Sequence, residues 1–196
     1  MVALRIPDEL VTDRLLLRRW RQDDLDALAE VFALPEVWEF PFGRGLTREE
    51  TATWLNRFLE EWERDGYGMY ALELRGTDRL IGLAGLRLAT WFSEIRGEVE
   101  IGWRLRPDCW GHGYATEAAM VSLRVGFAEL GAERIVAVVE PANAASLRLA
   151  GRLGMHSVRA VVEPGLKKTL EIFVVEPGPF EALTDSAPGA AGPSAR

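Results

Sequence analysis

The feature that most constrains the fold is a strand–loop–helix–strand unit between residues 97 and 139. Gly97–Leu105 is a strand-like run, and Arg134–Val139 is an apolar, β-branched run typical of a buried strand. Between them, the spacing of apolar residues predicts a helix from about Thr116 to Leu130. Two strands joined through a helix in one sheet lie parallel, with a right-handed crossover. The unit therefore predicts one parallel pair of strands.

The other predicted elements surround this unit. Before it, Arg14–Trp20 is strand-like, and a capping box at Thr47-Arg48-Glu49-Glu50 begins a helix that Gly66 ends. After it, Asn143 caps a short helix. Short turns favour antiparallel pairing of the early strands among the remaining strand-like runs. These runs are Tyr67–Leu74, Leu80–Leu88, Ser157–Glu163 and Thr169–Glu176. We therefore predict an α/β domain with a mixed sheet over residues 1–176.

The composition changes at Pro177. From this residue to the end, the sequence PGPFEALTDSAPGAAGPSAR is dominated by Pro, Gly, Ala and Ser. Such a segment offers too little apolar surface to order itself, so we predict that residues 177–196 form a flexible tail.

Composition excludes several classes of function. The net charge of −7 argues against sequence-independent binding of nucleic acid, which requires a cationic face. It suits a cationic partner such as an amine, or it serves solubility alone. No run approaches the roughly 20 apolar residues of a membrane span, and the start lacks the pattern of a signal peptide. The lone cysteine, Cys109, cannot form an internal disulfide. We expect a cytoplasmic protein without a metal site.

The loop that opens the central helix contains two glycines. It reads RPDCWGHGYATEAA, with Gly111 and Gly113 on either side of His112. The N-terminus of a helix has unpaired N–H groups that bind phosphate, and glycine lets a backbone approach such a group closely. By itself, a loop with two glycines before a helix is usually only a tight turn. The nucleotide P-loop requires Lys followed by Ser or Thr, and the dinucleotide fingerprint requires glycine where Thr116 stands, so both fit poorly.

Several segments together resemble the GNAT acetyltransferase superfamily, over roughly residues 10–176. They are WGHGYATEA, the later Asn143-Ala144-Ala145-Ser146 and Leu153-Gly154-Met155. The opening TDRLLLRRWRQDDLDAL and the strand VEIGWRL are similar to the branch that contains the ribosomal-protein N-terminal acetyltransferases RimJ and RimL. The resemblance implies a GNAT fold, in which a mostly antiparallel sheet contains one splayed parallel pair. It also implies an acetyl-CoA-dependent N-acetyltransferase that acts on a primary amine.

The resemblance assigns residues to acetyl-CoA. Trp110 stands where the family usually has Gln or Arg, a departure common in this branch. The backbone N–H groups after it would hold the pyrophosphate, from Gly111, His112, Gly113, Tyr114, Ala115 and Thr116. The strand end Trp103–Arg106, which includes Leu105, would pair with the pantetheine arm. Asn143 and Ser146 would lie near the far end of that arm, although Asn143 could be a helix cap alone.

The implied reaction is attack of a neutral amine on a thioester, which forms an oxyanion and expels a thiolate. An α-amine has a pKa of about 7.7–8.0, whereas a lysine amine near 10.4 is neutral only about once in 10³ at pH 7. A strong base therefore matters less for a protein N-terminus than for an aliphatic amine. Because a thiol has a pKa of about 8.5, an acid for the leaving sulfur contributes less than the base.

Glu100 is the predicted base and Ser146 the predicted acid, the serine by resemblance. Strand alternation places Glu98 and Glu100 on one face. Both glutamates could instead pair with arginines such as Arg104 or Arg87, and Glu140 is a third candidate base. Ser146 could simply occupy the first turn of its helix. Cys109 lacks a histidine partner and is not expected to form an acyl-enzyme.

The segment Glu36–Gly45 (EVWEFPFGRG) is the predicted acceptor wall. Trp38, Phe40 and Phe42 could pack against an acceptor, with Glu98 as a further contact, or the aromatic residues could simply close the core. The expected acceptor is first a protein N-terminus and then a small amine, such as a polyamine, an aminoglycoside or an amino-acid derivative. A non-catalytic acyl-CoA-binding module is the alternative of another class. The sequence is compatible with a monomer or a homodimer.

Overall fold

A computed structural model describes residues 5–185 of the chain, and a single eight-stranded sheet forms its centre. The strands lie in the order β1-β2-β3-β4-β5-β6-β8-β7. All neighbouring pairs are antiparallel except β5 and β6, which are parallel, as the strand–helix–strand unit predicts. The strands are β1 Glu9–Val11, β2 Leu15–Arg18, β3 Met69–Leu74, β4 Leu80–Leu88, β5 Val99–Leu105, β6 Ile135–Val139, β7 His156–Glu163 and β8 Lys168–Val175.

Within residues 5–185, six α-helices accompany the sheet. The helix predicted from the capping box begins where expected, because Thr47 accepts a hydrogen bond from the N–H of Glu50, and it ends at Gly66 in the left-handed conformation. None of the helices within residues 5–185 combines the length and the apolar character that a membrane crossing requires. The helices are α1 Leu25–Phe32, the short α2 Glu39–Phe42, α3 Arg48–Asp65, α4 Tyr114–Ala128, α5 Ala144–Arg152 and α6 Pro177–Asp185.

The sheet buries apolar residues on both faces. In β3, Tyr70 and Leu72 belong to the cluster beneath α4, whereas Met69 and Ala71 belong to the cluster beneath α1 and α3. This division follows the two-residue period of a strand. The mixed α/β architecture with one parallel pair is therefore confirmed.

The C-terminal region differs from the prediction of a flexible tail. Residues 177–185 form helix α6, and the ring of Phe180 is buried with its centroid 5.5 Å from that of Phe127 on α4. One well-placed aromatic residue anchors this segment, which average composition could not reveal. Residues 186–196 of the predicted tail lie outside the described part of the chain. The short strand β1 was also not predicted.

The parallel strands β5 and β6 pair only at their beginnings. The paired residues are Val99 with Ile135 and Glu100 with Val136. Beyond them β5 continues to Leu105 on the edge of β4, while β6 separates from it. The resulting gap in the middle of the sheet opens a cavity, and the candidate site is built around it.

Candidate active site

A cavity of about 450 Å³ lies at the gap between β5 and β6. Strand β5 contributes Glu100–Arg104 to its lining, and the end of β6 contributes Ala137–Val139 followed by Glu140. The first residues around α5, Asn143 and Ser146, complete this side. The opposite side is aromatic, with Trp38, Phe40, Phe42, Trp54, Phe58 and Trp91. The splay thus brings the predicted catalytic residues and the predicted acceptor wall into one space.

Glu100 is a buried carboxylate in this cavity, with only 5% of its surface exposed. Its Oε2 accepts hydrogen bonds from Arg87 Nε at 2.9 Å and from Trp91 Nε1 at 2.8 Å. The predicted alternative, pairing with an arginine, is therefore present for Glu100. The same residue still lines the cavity, and its Oε1 has no hydrogen-bond partner among residues 5–185. One oxygen orients the carboxylate while the other remains available to a ligand.

Ser146 faces Trp103 across the splay. The indole Nε1 of Trp103 donates to Ser146 Oγ at 3.2 Å, which connects β5 with the first turn of α5. Asn143 caps this helix, because its Oδ1 accepts from the N–H of Ser146 at 3.0 Å. Since the serine oxygen accepts from the indole, its own O–H is directed elsewhere and can donate. Asn143 therefore both caps the helix and lines the cavity.

The predicted acceptor wall both closes the core and lines the cavity. Trp38 is buried among Phe32 and Trp54, and its ring stacks on Phe42 with centroids 5.3 Å apart. Phe42 remains 44% exposed at the mouth. The two interpretations of these aromatic residues are therefore not exclusive. Glu98, in contrast, is not among the cavity residues and pairs with Arg134 outside it.

The glycine loop leads directly into α4. Gly111 and Gly113 have φ of 77° and 82°, which favour glycine, and Gly113 is the residue before the first turn of the helix. The helix begins at Tyr114, two residues earlier than the sequence predicts. No hydrogen bond within the described residues uses the N–H of Gly111, His112 or Gly113. The loop therefore presents free donors in addition to those of the helix start, including Ala115 and Thr116.

Trp110 closes the turn before this loop. Its exposed indole donates through Nε1 to the carbonyl of Leu105 at 2.7 Å. The backbone N–H of Arg106 donates to Ile81 O, so that N–H is engaged with β4, while its side chain pairs with Asp108. The departure from the family pattern at Trp110 thus has a structural role in the turn.

A polar network that the sequence analysis missed fastens the loop to the edge of the sheet. Glu117 in the first turn of α4 accepts from Thr12 Oγ1 at 2.6 Å and from Arg14 Nε at 2.7 Å. Arg14 Nη1 also donates to the carbonyl of His112 at 2.8 Å, and its guanidinium lies over the Tyr114 ring. Hydrogen bonds from Thr12 and Arg14 lower the pKa of Glu117 despite its burial, which acts in the opposite direction. A glutamate opening a helix was the only sequence signal for this network.

The other residues singled out from the sequence have structural roles. Cys109 is buried in the core, and burial raises the pKa of its thiol, which opposes a role as a nucleophile. The His112 ring is stacked on Tyr114, and Nδ1 lies 2.8 Å from the carbonyl of Trp110. The cavity arginines Arg57, Arg87 and Arg104 were not predicted as site residues.

Most of the chain matches a known protein family. Residues 14–156 match the family described as the acetyltransferase (GNAT) domain, which is more than half of the chain. The chain belongs to the GNAT acetyltransferase family. It is therefore an acyltransferase, and enzymes of this family use acetyl-CoA. The GNAT fold implied by the resemblance is confirmed.

Similar proteins carry the same description. The uncharacterized N-acetyltransferase p20 of Bacillus licheniformis is 30% identical over 76% of this chain and 83% of its own length. The uncharacterized N-acetyltransferase YnaD of Bacillus subtilis is 32% identical over 75% and 82%. An acetyltransferase structure from Agrobacterium tumefaciens, 26% identical, superposes with a TM-score of 0.74 over 90% of this chain and 98% of that one. RimL, a ribosomal L7/L12 alpha-N-protein acetyltransferase in complex with coenzyme A, shares the fold at 18% identity, with a TM-score of 0.68 over 87% and 97%.

Proposed function

We propose that this GNAT enzyme transfers acetyl from acetyl-CoA to the α-amine of an acceptor, first of all a protein N-terminus. The observation that carries the proposal is the splay of β5 and β6. A carboxylate, a serine and an aromatic wall line the one cavity at this gap, and the loop of free backbone donors follows the end of β5.

The residues around the glycine loop fit a pyrophosphate. Free N–H groups at Gly111–Gly113 and the positive end of α4 are complementary to its negative charge. Arg14 is half-exposed beside the loop, with Nη2 3.4 Å from where a side chain on Gly113 would begin. When bound here, acetyl-CoA supplies the activated acyl group. The chain supplies the cradle and directs the thioester toward the gap.

Glu100 and Ser146 provide the proton chemistry at the gap. Glu100, oriented by Arg87 and Trp91, would accept the amine proton directly or through a water molecule. Ser146, held by Trp103, would donate its O–H toward the departing sulfur. A single buried carboxylate suits an α-amine, which is already partly neutral at pH 7.

The charges of the cavity support an α-amine over a polycation. Arg57, Arg87 and Arg104 all line it. Of the three lining carboxylates, Glu100 is paired with Arg87, Glu140 is paired with Lys168 at 3.0 Å, and Glu163 accepts from the backbone N–H of Leu166. A polyamine or an aminoglycoside would bring several further positive charges to three guanidinium groups, which is unfavourable at short range.

An acceptor panel tests the acceptor class. The purified protein is given acetyl-CoA with an unblocked lysine-free peptide, an Nα-blocked peptide containing lysine, or spermidine, at pH 7. Release of thiol and the mass of each acceptor are measured. We expect the highest kcat/KM for the unblocked peptide. Preferential acetylation of the lysine side chain or of spermidine would contradict the proposal for the acceptor, although acetyl transfer itself would stand.

A further inference from the structure

Arg104 has an unusual environment for a half-buried cation. It lies on β5, on the same face as Glu100 and four residues away, about 13 Å along the strand. Its Nη1 donates to the carbonyl oxygens of Val37 at 2.7 Å and Phe40 at 2.8 Å. Its guanidinium carbon lies 3.9 Å from the centroid of the Trp38 ring. No carboxylate within residues 5–185 forms an ion pair with it.

The donors of Arg104 that remain unused have a definite arrangement. An arginine carries five N–H donors, and both of the observed bonds involve Nη1. Nε and Nη2 have no partner among the described residues. These two nitrogens form the side-on edge of the guanidinium, which matches the two oxygens of a carboxylate in a bidentate pair. Because this half-buried cation has no counter-charge in the described residues, a carboxylate bound at the unused edge would gain a charge-assisted pair in a partly desolvated place.

Trp38 offers a further unused donor at the same place. Trp38 lines the cavity and has only 3% of its surface exposed. Its Nε1 has no hydrogen-bond partner among residues 5–185. Buried indole N–H groups normally have a partner. Together, Arg104 and Trp38 provide a cation and a neutral donor that are both unsatisfied within the protein.

The other charged groups of the cavity do not satisfy Arg104. Glu100 and Glu140 are engaged by Arg87 and Lys168, and Arg57 is paired with Glu61. Glu163 also lines the cavity, where its Oε2 accepts from the backbone N–H of Leu166. Burial lowers the pKa of Arg104 to about 9, with the positive charge of Arg87 as the next cause. The guanidinium is still protonated at pH 7.

From this arrangement we infer that Arg104, with Trp38, binds a carboxylate carried by the acceptor. The inference rests on the proposed function and deepens it, because it defines a second group that the acceptor must bear besides its amine. The carboxylate is that of an acidic side chain, either close to a peptide N-terminus or in a free acidic amino acid. Arg104 would act as a residue that determines acceptor specificity, with its guanidinium held over the Trp38 ring by the carbonyl oxygens of Val37 and Phe40.

Matched acceptors test this inference. One pair is the peptide amides Ala-Asp-Phe and Ala-Asn-Phe, and the other pair is free glutamate and glutamine. Within each pair one carboxylate is exchanged for a carboxamide of similar size. We expect kcat/KM at least about tenfold higher for the acidic member of one pair, since a charge-assisted bidentate hydrogen bond is lost in its partner. Which pair shows the preference identifies the source of the carboxylate.

Variants assign the preference to Arg104. Arg104→Lys keeps the charge and a donor for the carbonyl oxygens but removes the bidentate edge, so the preference should fall to about twofold or less. Trp38→Phe keeps an aromatic ring beneath the guanidinium but removes the Nε1 donor, so it should reduce the preference less than Arg104→Lys does. Arg57→Lys, the matched control for a cavity arginine that already has a carboxylate partner, should keep the wild-type preference whatever its turnover.

The outcomes separate the two proposals. Equal rates for the acidic and carboxamide members in both pairs, or a preference that survives Arg104→Lys, would overturn the carboxylate site while leaving acetyl transfer intact. Transfer to none of the four acceptors, together with transfer to lysine side chains or spermidine, would refute the proposed acceptor class as well.

Discussion

The indole Nε1 of Trp103 lies 3.2 Å from Ser146 Oγ, and this contact spans the gap where β5 and β6 separate. It fixes the serine oxygen as an acceptor and leaves the serine proton for another group. The contact thereby connects the strand next to the acceptor cavity with the first turn of α5.

Replacing Ser146 by Ala should lower kcat by about tenfold at pH 7 and leave the KM for acetyl-CoA within about twofold. The effect is modest because a thiolate of pKa about 8.5 already leaves well, and it should shrink above that pH. Steady-state rates of thiol release between pH 6.5 and pH 9.5 provide the measurement. A kcat equal to wild type at every pH would remove Ser146 from the reaction.

Replacing Glu100 by Gln should lower kcat by about 10- to 100-fold at pH 6.5 and by less at pH 9, where the α-amine is neutral without help. The Gln oxygen can still accept from Arg87 and Trp91, so the cavity is preserved. Glu98→Gln is the matched control, because Glu98 pairs with Arg134 outside the cavity. A constant ratio of variant to wild type across this pH range would assign the base elsewhere.

Gly113→Val should raise the KM for acetyl-CoA by at least about tenfold. The side chain would project from a backbone with φ of 82° into the space before α4, where it meets Arg14 first. Gly131→Val controls for the strain of a left-handed residue, since Gly131 follows the opposite end of α4 with φ of 59° and open space around it. Isothermal titration calorimetry measures the affinity of each variant for CoA. Equal affinities for the two variants would refute the assignment of the loop.

Glu117→Gln should lower the free energy of unfolding by about 1 kcal/mol at pH 7, since Arg14 is half-exposed and solvent weakens the pair. The folded-state pKa of Glu117 is lowered, so its contribution is present above the unfolded value near 4.3. It is lost as the pH falls through the lower folded-state value. Urea unfolding should therefore show a larger difference from wild type at pH 7 than at pH 2.5. Glu129→Gln at the other end of α4 should match wild type at both, and a Glu117→Gln difference that is the same at both pH values would contradict this account.

Local signals in the sequence predicted most of the fold. The capping box at Thr47, the glycine at Gly66 and the strand–helix–strand unit each depend on neighbours within a few residues, and the structure has all three features. Helix α6 was missed because Phe180 is held by Phe127, more than 50 residues earlier. That contact depends on packing in three dimensions, which composition does not describe.

The candidate site was predicted less completely than the fold. Strand alternation placed Glu100 at the cavity, but it could not distinguish Glu98, which turns to Arg134. Arg104 was considered only as a partner for the glutamates. Its actual contacts are carbonyl oxygens of Val37 and Phe40, more than 60 residues away. Such long-range contacts determine which charges remain free for a ligand.

The most direct test of the central claim is thiol release from acetyl-CoA on addition of an unblocked peptide, with the peptide analysed by mass spectrometry. The account predicts thiol release that depends on the peptide, matched mole for mole by a peptide acetylated at its α-amine. Tight binding of CoA without any acetylated product, across peptides and small amines alike, would contradict it and would indicate a protein that binds acyl-CoA without catalysing transfer.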